Sequence, residues 1–283
     1  MESVKTAGIV LAGGRSSRMG TPKAALEWHG STLLRRVTGI VGRAVDGPVI
    51  VVRAPGQELP ALAPGVELAE DPVEGRGPLQ GLAAGMAAIS GRADAVFLSS
   101  TDVPLLHPLF VARVLAAMED GVDVVLPVAR GFPQPMAAAY RVSVLPVVER
   151  LLAEDRLKPS FLFDACRVRR IDDAELLRAS RLAATDPLLE SLLNLNEPSD
   201  YEAAHARPLP AIRIQRFGAL RRAVPDGPAE VHAATLGQAA RAAGIELDEH
   251  VVAALNGDQI SRDPELPLAA GDLVAFLAAD AGG

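Results

Sequence analysis

The sequence predicts an α/β protein in which helices cover both faces of a mostly parallel sheet, followed by a small α+β unit. Short apolar segments alternate with longer segments of helical periodicity over residues 6–128, which is typical of parallel strands joined by crossover helices. Two prolines stand within residues 206–211, and the segments that follow them are shorter. These observations predict two units, residues 1–205 and 212–283, joined by a linker at 206–211.

The first unit opens with a buried strand, TAGIVLA, followed by a helix that Ser31 can cap. Pro78 is well placed in the first turn of a second helix. Strands are predicted at 6–12, 48–52, 66–70, 95–100 and 122–128, and helices at 31–45, 78–89 and 108–119. Beyond residue 130 the pattern loosens, and it predicts a strand at 136–140, a helix at 144–154, a strand at 167–171, and a strand running into a helix across 192–204.

The second unit begins with AIRIQRFG, whose alternation of apolar and polar residues predicts a half-buried strand. Gly244 closes a predicted helix. Strands are predicted at 211–218, 229–233, 251–257 and 272–278, and the helix at 235–244. The prolines of the linker would let this unit move relative to the first.

Composition excludes several classes of protein. With 283 residues, 49% of them hydrophobic, the chain can bury a core. Its net charge of −7 argues against nucleic acid or a membrane surface as a partner, and no apolar run reaches the roughly 18 residues of a membrane helix. The apolar stretch near the start is too short for a secretion signal, so a cytoplasmic location is expected. One cysteine excludes a disulfide scaffold, and the five histidines show no metal-ligand spacing.

A glycine-rich loop, LAGGRSSRMGTPK, leaves the first strand. It matches neither a Walker A loop nor a dinucleotide fingerprint. Gly13 and Gly14 allow the backbone to approach a ligand closely. Arg15, Arg18 and Lys23 bring three cations to this loop, and cations so close together need an anion such as a triphosphate.

A single carboxylate, Asp102, follows the strand AVFLSS in the segment TDVP. Ligands of parallel sheets bind beyond the C-terminal ends of the strands, where Asp102 is expected to meet the cationic loop. Asp102 is a candidate Mg²⁺ ligand, with phosphate oxygens and waters completing the octahedron; alternatively, it caps the next helix. The loop and the carboxylate together favour phosphoryl or nucleotidyl transfer, because cations and a metal neutralise the charge that develops on phosphate.

Five segments resemble the molybdenum cofactor guanylyltransferases, members of a larger superfamily of Rossmann-like nucleotidyltransferases. They are LAGGRSSRMGTPKAAL, EDPVEGRGPLQG, TDVPLL, QPMAAAYR and NLNEPSDY, in this order over roughly residues 5–205. The resemblance implies that the terminal phosphate of molybdenum-bearing molybdopterin attacks the α-phosphate of GTP, releasing pyrophosphate and forming a guanine dinucleotide cofactor. It also implies Mg²⁺ as the cofactor, with GTP and molybdopterin as substrates.

The resemblance further implies roles for particular residues. Those expected to bind the nucleotide are Leu11, Ala12, Gly13, Gly14, Lys23, Asp71 and Asp102. Those expected to act in catalysis are Arg18, Lys23 and Asp102, with Asp102 holding the metal. Those expected on the pterin side are Gln134, Pro135, Asn194 and Asn196, although the two asparagines could instead cap the helix that follows them.

One departure leaves the choice of base open. The family often has a polar residue just after the second strand that touches the nucleoside, and here Arg53 and Ala54 stand in that region. A cytidylyltransferase, or another nucleotidyltransferase of the same fold, is therefore an alternative. A second alternative is a non-catalytic carrier or scaffold, against which the set of Arg18, Lys23 and Asp102 argues.

Residues 212–283 resemble the small subunit of molybdopterin synthase, a ubiquitin-like (β-grasp) sulfur carrier. The matching segments are IRIQRFGALRR, TLGQAARAAG, VVAALNGD and LPLAAGDLVAFLAADAGG. The resemblance implies that Gly282 and Gly283 form a carrier terminus that a sulfur-activating adenylyltransferase modifies and the large subunit of molybdopterin synthase receives. Ala278 and Ala279 replace the two prolines that the family often has, so a degenerate domain without sulfur chemistry is the alternative.

Overall fold

The structure, a computed structural model, describes residues 4–13, 22–73, 75–223 and 227–278. In the first unit the strands are β1 (Thr6–Leu11), β2 (Val49–Arg53), β3 (Val66–Glu70), β4 (Ala95–Ser100), β5 (Val124–Ala129), β6 (Phe132–Pro133), β7 (Ala138–Arg141) and β8 (Val168–Asp172). The helices there are α1 (Leu33–Gly42), α2 (Pro78–Ile89), α3 (Pro108–Leu115), α4 (Leu145–Ala153), α5 (Pro159–Ala165), α6 (Asp173–Leu176), α7 (Ser180–Thr185) and α8 (Pro198–His205).

The first unit is built on a mixed, mostly parallel sheet with the order β3-β2-β1-β4-β7-β5-β6, in which β8 also pairs with β5. Strands β3, β2, β1 and β4 run parallel. Leu11 lies opposite both Val52 and Ser100, so these strands end at the same edge of the sheet. Both faces are covered: Val10 and Phe97 lie in one apolar cluster, and Ile9 in another. The predicted α/β architecture is confirmed.

Several local predictions were wrong. The strand predicted at 136–140 begins only at Ala138, because Pro135–Ala137 form a short 3₁₀ helix; the observed strand β7 pairs antiparallel with β4 and β5. No strand forms at 192–197, where a 3₁₀ helix ends at Leu192 and irregular backbone leads into α8. Helix α1 is capped by Thr32, whose side chain accepts from the Arg35 N–H, and not by Ser31. The short helices α5, α6 and α7 have too few residues to show a periodicity.

Residues 211–278 form a second sheet with its own core. Its strands are β9 (Ala211–Arg216), β10 (Glu230–His232), β11 (Val251–Leu255), β12 (Gln259–Ser261) and β13 (Leu273–Ala278), and its helices are α9 (Ala219–Ala223) and α10 (Leu236–Ala242). The order is β10-β9-β13-β11-β12; β9 and β13 pair parallel and the other neighbours antiparallel. Ile212, Leu236 and Phe276 are fully buried between this sheet and α10. Among the described residues, no helix is long and apolar enough to span a bilayer.

The second unit packs directly against α1, so the expected freedom of movement is not what the structure shows. Gly39 of α1 lies against Pro267, and Ala269 joins an apolar cluster of the first unit. Arg35 forms an ion pair with Asp263 at 2.5 Å. The prolines of the linker predict a hinge, but these contacts oppose movement about it.

His107 makes stability depend on pH at this contact. Its Nδ1 accepts from the Leu109 N–H and its Nε2–H donates to the Ala270 carbonyl, both at 3.1 Å, which requires the neutral ring. Burial lowers the pKa of His107; Arg43 adds to this effect, while the Ala270 carbonyl and the carboxylates of Asp272 and Asp186 oppose it. Because the folded protein binds this proton less readily than the unfolded chain, the protein is expected to lose stability as pH falls below about 6.5.

Urea unfolding at pH 7.5 and pH 5.5 measures this dependence. His107→Asn, which keeps a side chain suited to capping α3, should lose less stability than the wild type between these two pH values. His232→Asn, at an exposed position, serves as the matched control. An unchanged pH dependence in His107→Asn would show that the ring does not titrate with folding.

Candidate active site

A cavity of about 570 Å³ opens where β1, β2 and β4 end. It combines glycine-rich backbone with two carboxylates. Of the residues predicted for the site, Leu11, Gly13, Asp71 and Asp102 line it. This is the edge of the sheet at which parallel α/β folds bind ligands.

Asp102 lies at the centre of this edge. The Ser100 hydroxyl donates to its Oδ1 at 2.5 Å, and Lys23 Nζ lies 3.1 Å from its Oδ2. The Lys23 and Asp102 side chains are only about one-fifth exposed. Asp102 does not cap the next helix, because His107 caps α3. The structure therefore brings together the lysine of the cationic loop and the carboxylate after β4.

Gly13 is required by a close approach of two backbones. A Cβ at this position would lie 3.1 Å from the Ala54 nitrogen, so a larger residue would press against the backbone. The N–H groups of Ala12 and Gly13 both donate to the Val52 carbonyl. Ala12 is buried and does not line the cavity, whereas Gly13 is exposed and lines it.

Gln57 is a polar residue at this site that sequence reasoning missed. Its side-chain nitrogen donates to the Ala12 carbonyl and its oxygen accepts from the Ala54 N–H, both at 3.0 Å. Arg53 and Ala54 both line the cavity, and the Arg53 guanidinium lies 3.1 Å from Glu70. Gln57 lies four residues beyond β2, and only the turn at Gly56, with φ of 65°, carries it back to β1.

Asp71 follows β3 and also lines the cavity. Its Oδ1 accepts from the Val73 N–H at 3.0 Å. Burial raises the pKa of Asp71, while the Val73 hydrogen bond and the nearby charge of Arg76 oppose that rise. Gly77 and Pro78, at the N-terminus of α2, line the same cavity. The prediction that Pro78 lies in the first turn of this helix is confirmed. A helix N-terminus at this place favours an anionic ligand.

None of the four residues predicted for the pterin side, Gln134, Pro135, Asn194 and Asn196, lines the cavity. Gln134 donates to the Phe132 carbonyl and Pro135 accepts from the Tyr140 hydroxyl, while their neighbour Met136 lines the cavity.

Asn194 and Asn196 are exposed on either side of buried Leu195, whose N–H donates to the Asp102 carbonyl at 2.8 Å. Glu197 and Asp200 make the cap of α8, so the asparagine side chains do not serve as its cap.

The carboxylate chemistry of the site fits Mg²⁺. This ion is usually held by one or two carboxylates together with substrate phosphates and waters. Within the part of the chain that the structure describes, no three His, Cys, Asp or Glu side chains form an all-protein metal cage. The Lys23 ammonium beside Asp102 shows that this carboxylate is placed to hold a cation. Gly14 and Arg18, also predicted for the site, lie outside the described residues.

Comparison with known proteins identifies the class. The MobA-like NTP transferase domain family matches residues 8–168, which is more than half of the chain. The chain therefore belongs to the MobA-like NTP transferase family and is a nucleotidyltransferase.

Relatives narrow the class further. The chain is 34% identical to a molybdenum cofactor guanylyltransferase of Desulfosudis oleivorans, over 70% of this chain and 94% of that protein. It is 35% identical to a probable molybdenum cofactor guanylyltransferase of Mycobacterium avium, over 73% of this chain and 98% of that protein. The fold is similar to that of molybdopterin-guanine dinucleotide biosynthesis protein A from Archaeoglobus fulgidus, with a TM-score of 0.56 at 20% identity, over 70% of this chain and 96% of that chain.

Proposed function

We propose that this chain transfers GMP from GTP to molybdenum-bearing molybdopterin. A terminal phosphate oxygen of the pterin attacks the α-phosphorus of GTP, the bond from that phosphorus to the bridging oxygen breaks, and pyrophosphate leaves. The observation that carries this proposal is the Lys23–Asp102 pair, 3.1 Å apart at the cavity, in a chain whose relatives include guanylyltransferases.

In this reaction the residues of the chain bind and orient the substrates. Lys23 contacts the phosphates of GTP, and Gly13 lets the nucleotide lie close to the backbone between β1 and β2. The N-terminus of α2 attracts the anionic substrate, and Asp71 helps hold the nucleoside. No covalent enzyme intermediate is required, because positioning and charge neutralisation supply the catalysis.

Asp102 would hold Mg²⁺, with Ser100 fixing the orientation of its carboxylate. When bound, the metal would neutralise the charge that develops on the transferred phosphate and on pyrophosphate. Lys23 would then leave the carboxylate and remain near the phosphates as a second cation. Arg18 adds a further cation in this proposal. The pterin acceptor would lie against Gln134, Pro135, Asn194 and Asn196, because the side-chain amides of the glutamine and the two asparagines suit the donor and acceptor edge of a pterin.

The assay that tests this function measures pyrophosphate release by the full chain with Mg²⁺ and metallated molybdopterin, using GTP or CTP in parallel. Release with GTP, dependent on the pterin, is expected. Equal or faster release with CTP would assign the alternative base. A chain that releases no pyrophosphate with either nucleotide would overturn the proposal and favour the scaffold alternative. The single cysteine and the GTP substrate support a cytoplasmic setting for the reaction.

We propose that residues 212–283 form a ubiquitin-like sulfur-carrier domain. The strand order β10-β9-β13-β11-β12, with the first and last strands of the unit parallel at the centre, supports a β-grasp assignment. Gly282 and Gly283, the proposed carrier terminus, lie outside the described residues, just beyond the end of β13. Its partners would be a sulfur-activating adenylyltransferase and the large subunit of molybdopterin synthase.

Deleting Gly282 and Gly283 is expected to abolish sulfur loading and leave GMP transfer unchanged. Intact-mass spectrometry after incubation with the activating enzyme, ATP and a sulfur donor measures the change. The full chain should gain about 16 Da as one carboxylate oxygen is replaced by sulfur, and the deleted chain should gain nothing. GMP transfer by both chains is the control. A full chain that gains no mass would support the degenerate-domain alternative.

A further inference from the structure

The contact between the two units contains buried charge. Arg43 at the end of α1 forms an ion pair with Asp272 at 2.5 Å, and their side chains are 7% and 5% exposed. The Asp272 carboxylate also accepts from the Ala269 N–H and from the Asn256 side chain. Removing one partner of such an ion pair destabilises the protein, because it leaves the other charge buried without compensation. The second unit is therefore held in one position on α1.

Arg36, on the same helix, links this contact to the active-site edge. Its Nε–H donates to the Pro104 carbonyl at 2.9 Å. Its Nη1 donates to the carbonyls of Leu268 at 2.5 Å and Ala234 at 3.4 Å, both in the second unit. Arg36 is 7% exposed, and burial with the neighbouring Arg43 lowers its pKa to about 10, so it remains charged at neutral pH. A buried guanidinium needs all of these acceptors.

Pro104 belongs to the loop that carries Asp102. The second unit holds this loop at two points: at Pro104 through Arg36, and at His107 through the Ala270 carbonyl. At the start of this loop, the Asp102 carbonyl accepts a hydrogen bond from the Leu195 N–H, which belongs to the first unit. Without the second unit, Arg36 would lose two of its three carbonyl partners and His107 its partner at Nε2.

We infer that Arg36 is a positioning residue for GMP transfer, and that the docked second unit is part of the support that holds the Asp102 loop in place. This inference rests on the proposed function of the site. It gives residues 211–278 a role in GMP transfer that is independent of any sulfur chemistry at the C-terminus. Small displacements of a catalytic group are costly, since a shift of about 1 Å can lower a rate by up to about 100-fold.

A substitution on α1 tests this without touching the site. A Cβ at Gly39 would lie 2.5 Å from Pro267 Cγ and 2.6 Å from its Cδ, next to Leu268, so Gly39→Ala forces the second unit to shift. Alanine favours the helix by about 1 kcal/mol over glycine, so α1 itself should not be weakened. Gly42→Ala on the same helix is the matched control, because its Cβ would meet only Val49, at an ordinary 3.5 Å.

The measurements are kcat and KM for GTP, and the hydrogen exchange of residues 101–107 in metal-free protein. In Gly39→Ala, kcat should fall about tenfold with KM for GTP within about twofold, and residues 101–107 should exchange faster than in the wild type. Gly42→Ala should match the wild type in both. Folding of each variant is checked by its thermal unfolding curve.

Two variants of Arg36 itself provide a second line of test. Arg36→Lys, which retains the charge and part of the hydrogen bonding, should keep more turnover and more exchange protection than Arg36→Met. If Arg36→Met does not fold, Gly39→Ala and Arg36→Lys still decide the question. The inference is overturned if folded Gly39→Ala and Arg36→Lys match the wild type in turnover and in exchange. A wild type without GMP transfer would instead refute the proposed function, and the exchange data would still decide whether the second unit holds the loop.

Discussion

Replacing Asp102 by asparagine is expected to lower kcat for GMP transfer by about 100-fold or more, the scale of losing one key electrostatic group. Asparagine keeps the shape of the side chain and an oxygen that can accept from Ser100, so the fold should persist. The backbone bond from Leu195 to the carbonyl of residue 102 does not involve the side chain. What is removed is the negative charge that would hold Mg²⁺ against the phosphates.

Steady-state kinetics over a range of Mg²⁺ concentrations measures this effect. The variant should remain slow at every concentration if the carboxylate is the protein's metal ligand. Asp120→Asn, at an exposed position, is the matched control and should behave as the wild type. Near-normal turnover in Asp102→Asn would remove this residue from the mechanism.

Replacing Lys23 by alanine is expected to weaken GTP binding or transfer by about 10- to 150-fold. A charge-assisted contact to phosphate contributes about 1.5–3 kcal/mol, and each 1.36 kcal/mol corresponds to about tenfold. Lys23 is placed for this contact, because its ammonium lies at the cavity edge beside Asp102. The effect should appear in kcat/KM for GTP.

The chain offers a close control for Lys23. Only two other lysines exist, Lys5 and Lys158, and Lys5 is exposed just before β1, at the end of that strand opposite Leu11 and the cavity. Lys5→Ala removes the same charge away from the cavity and should leave kcat/KM unchanged. Equal losses in Lys23→Ala and Lys5→Ala would mean that net charge, and not a phosphate contact, determines the effect.

The sequence was sufficient to predict the sheet and the edge at which the site forms. Strands such as β1 and β4 are apolar throughout because helices cover both faces of the sheet, and this continuous pattern is visible without a structure. Parallel strands end at one edge, so the loop after β1 and Asp102 after β4 were expected to meet there. The distance from Lys23 to Asp102 agrees with that expectation.

Other features of the structure depend on contacts between distant segments, which no local sequence pattern predicts. Gln57 reaches Ala12 because a turn brings it back to β1. Arg36 has the helical spacing of an ordinary surface residue on α1, yet the second unit buries it. His29 and His205 lie far apart in sequence, but their rings stack with centroids 4.1 Å apart. Each of these arrangements is a product of tertiary packing.

The most direct test of the central claim follows the α-phosphate of GTP. Full-length protein is incubated with Mg²⁺, metallated molybdopterin and GTP that carries radioactive phosphorus in the α-position, and the products are separated. We expect the label to enter the pterin dinucleotide only when the pterin is present, and the released pyrophosphate to be unlabelled. Label that stays in free guanine nucleotides while the pterin is unmodified would contradict GMP transfer at this site.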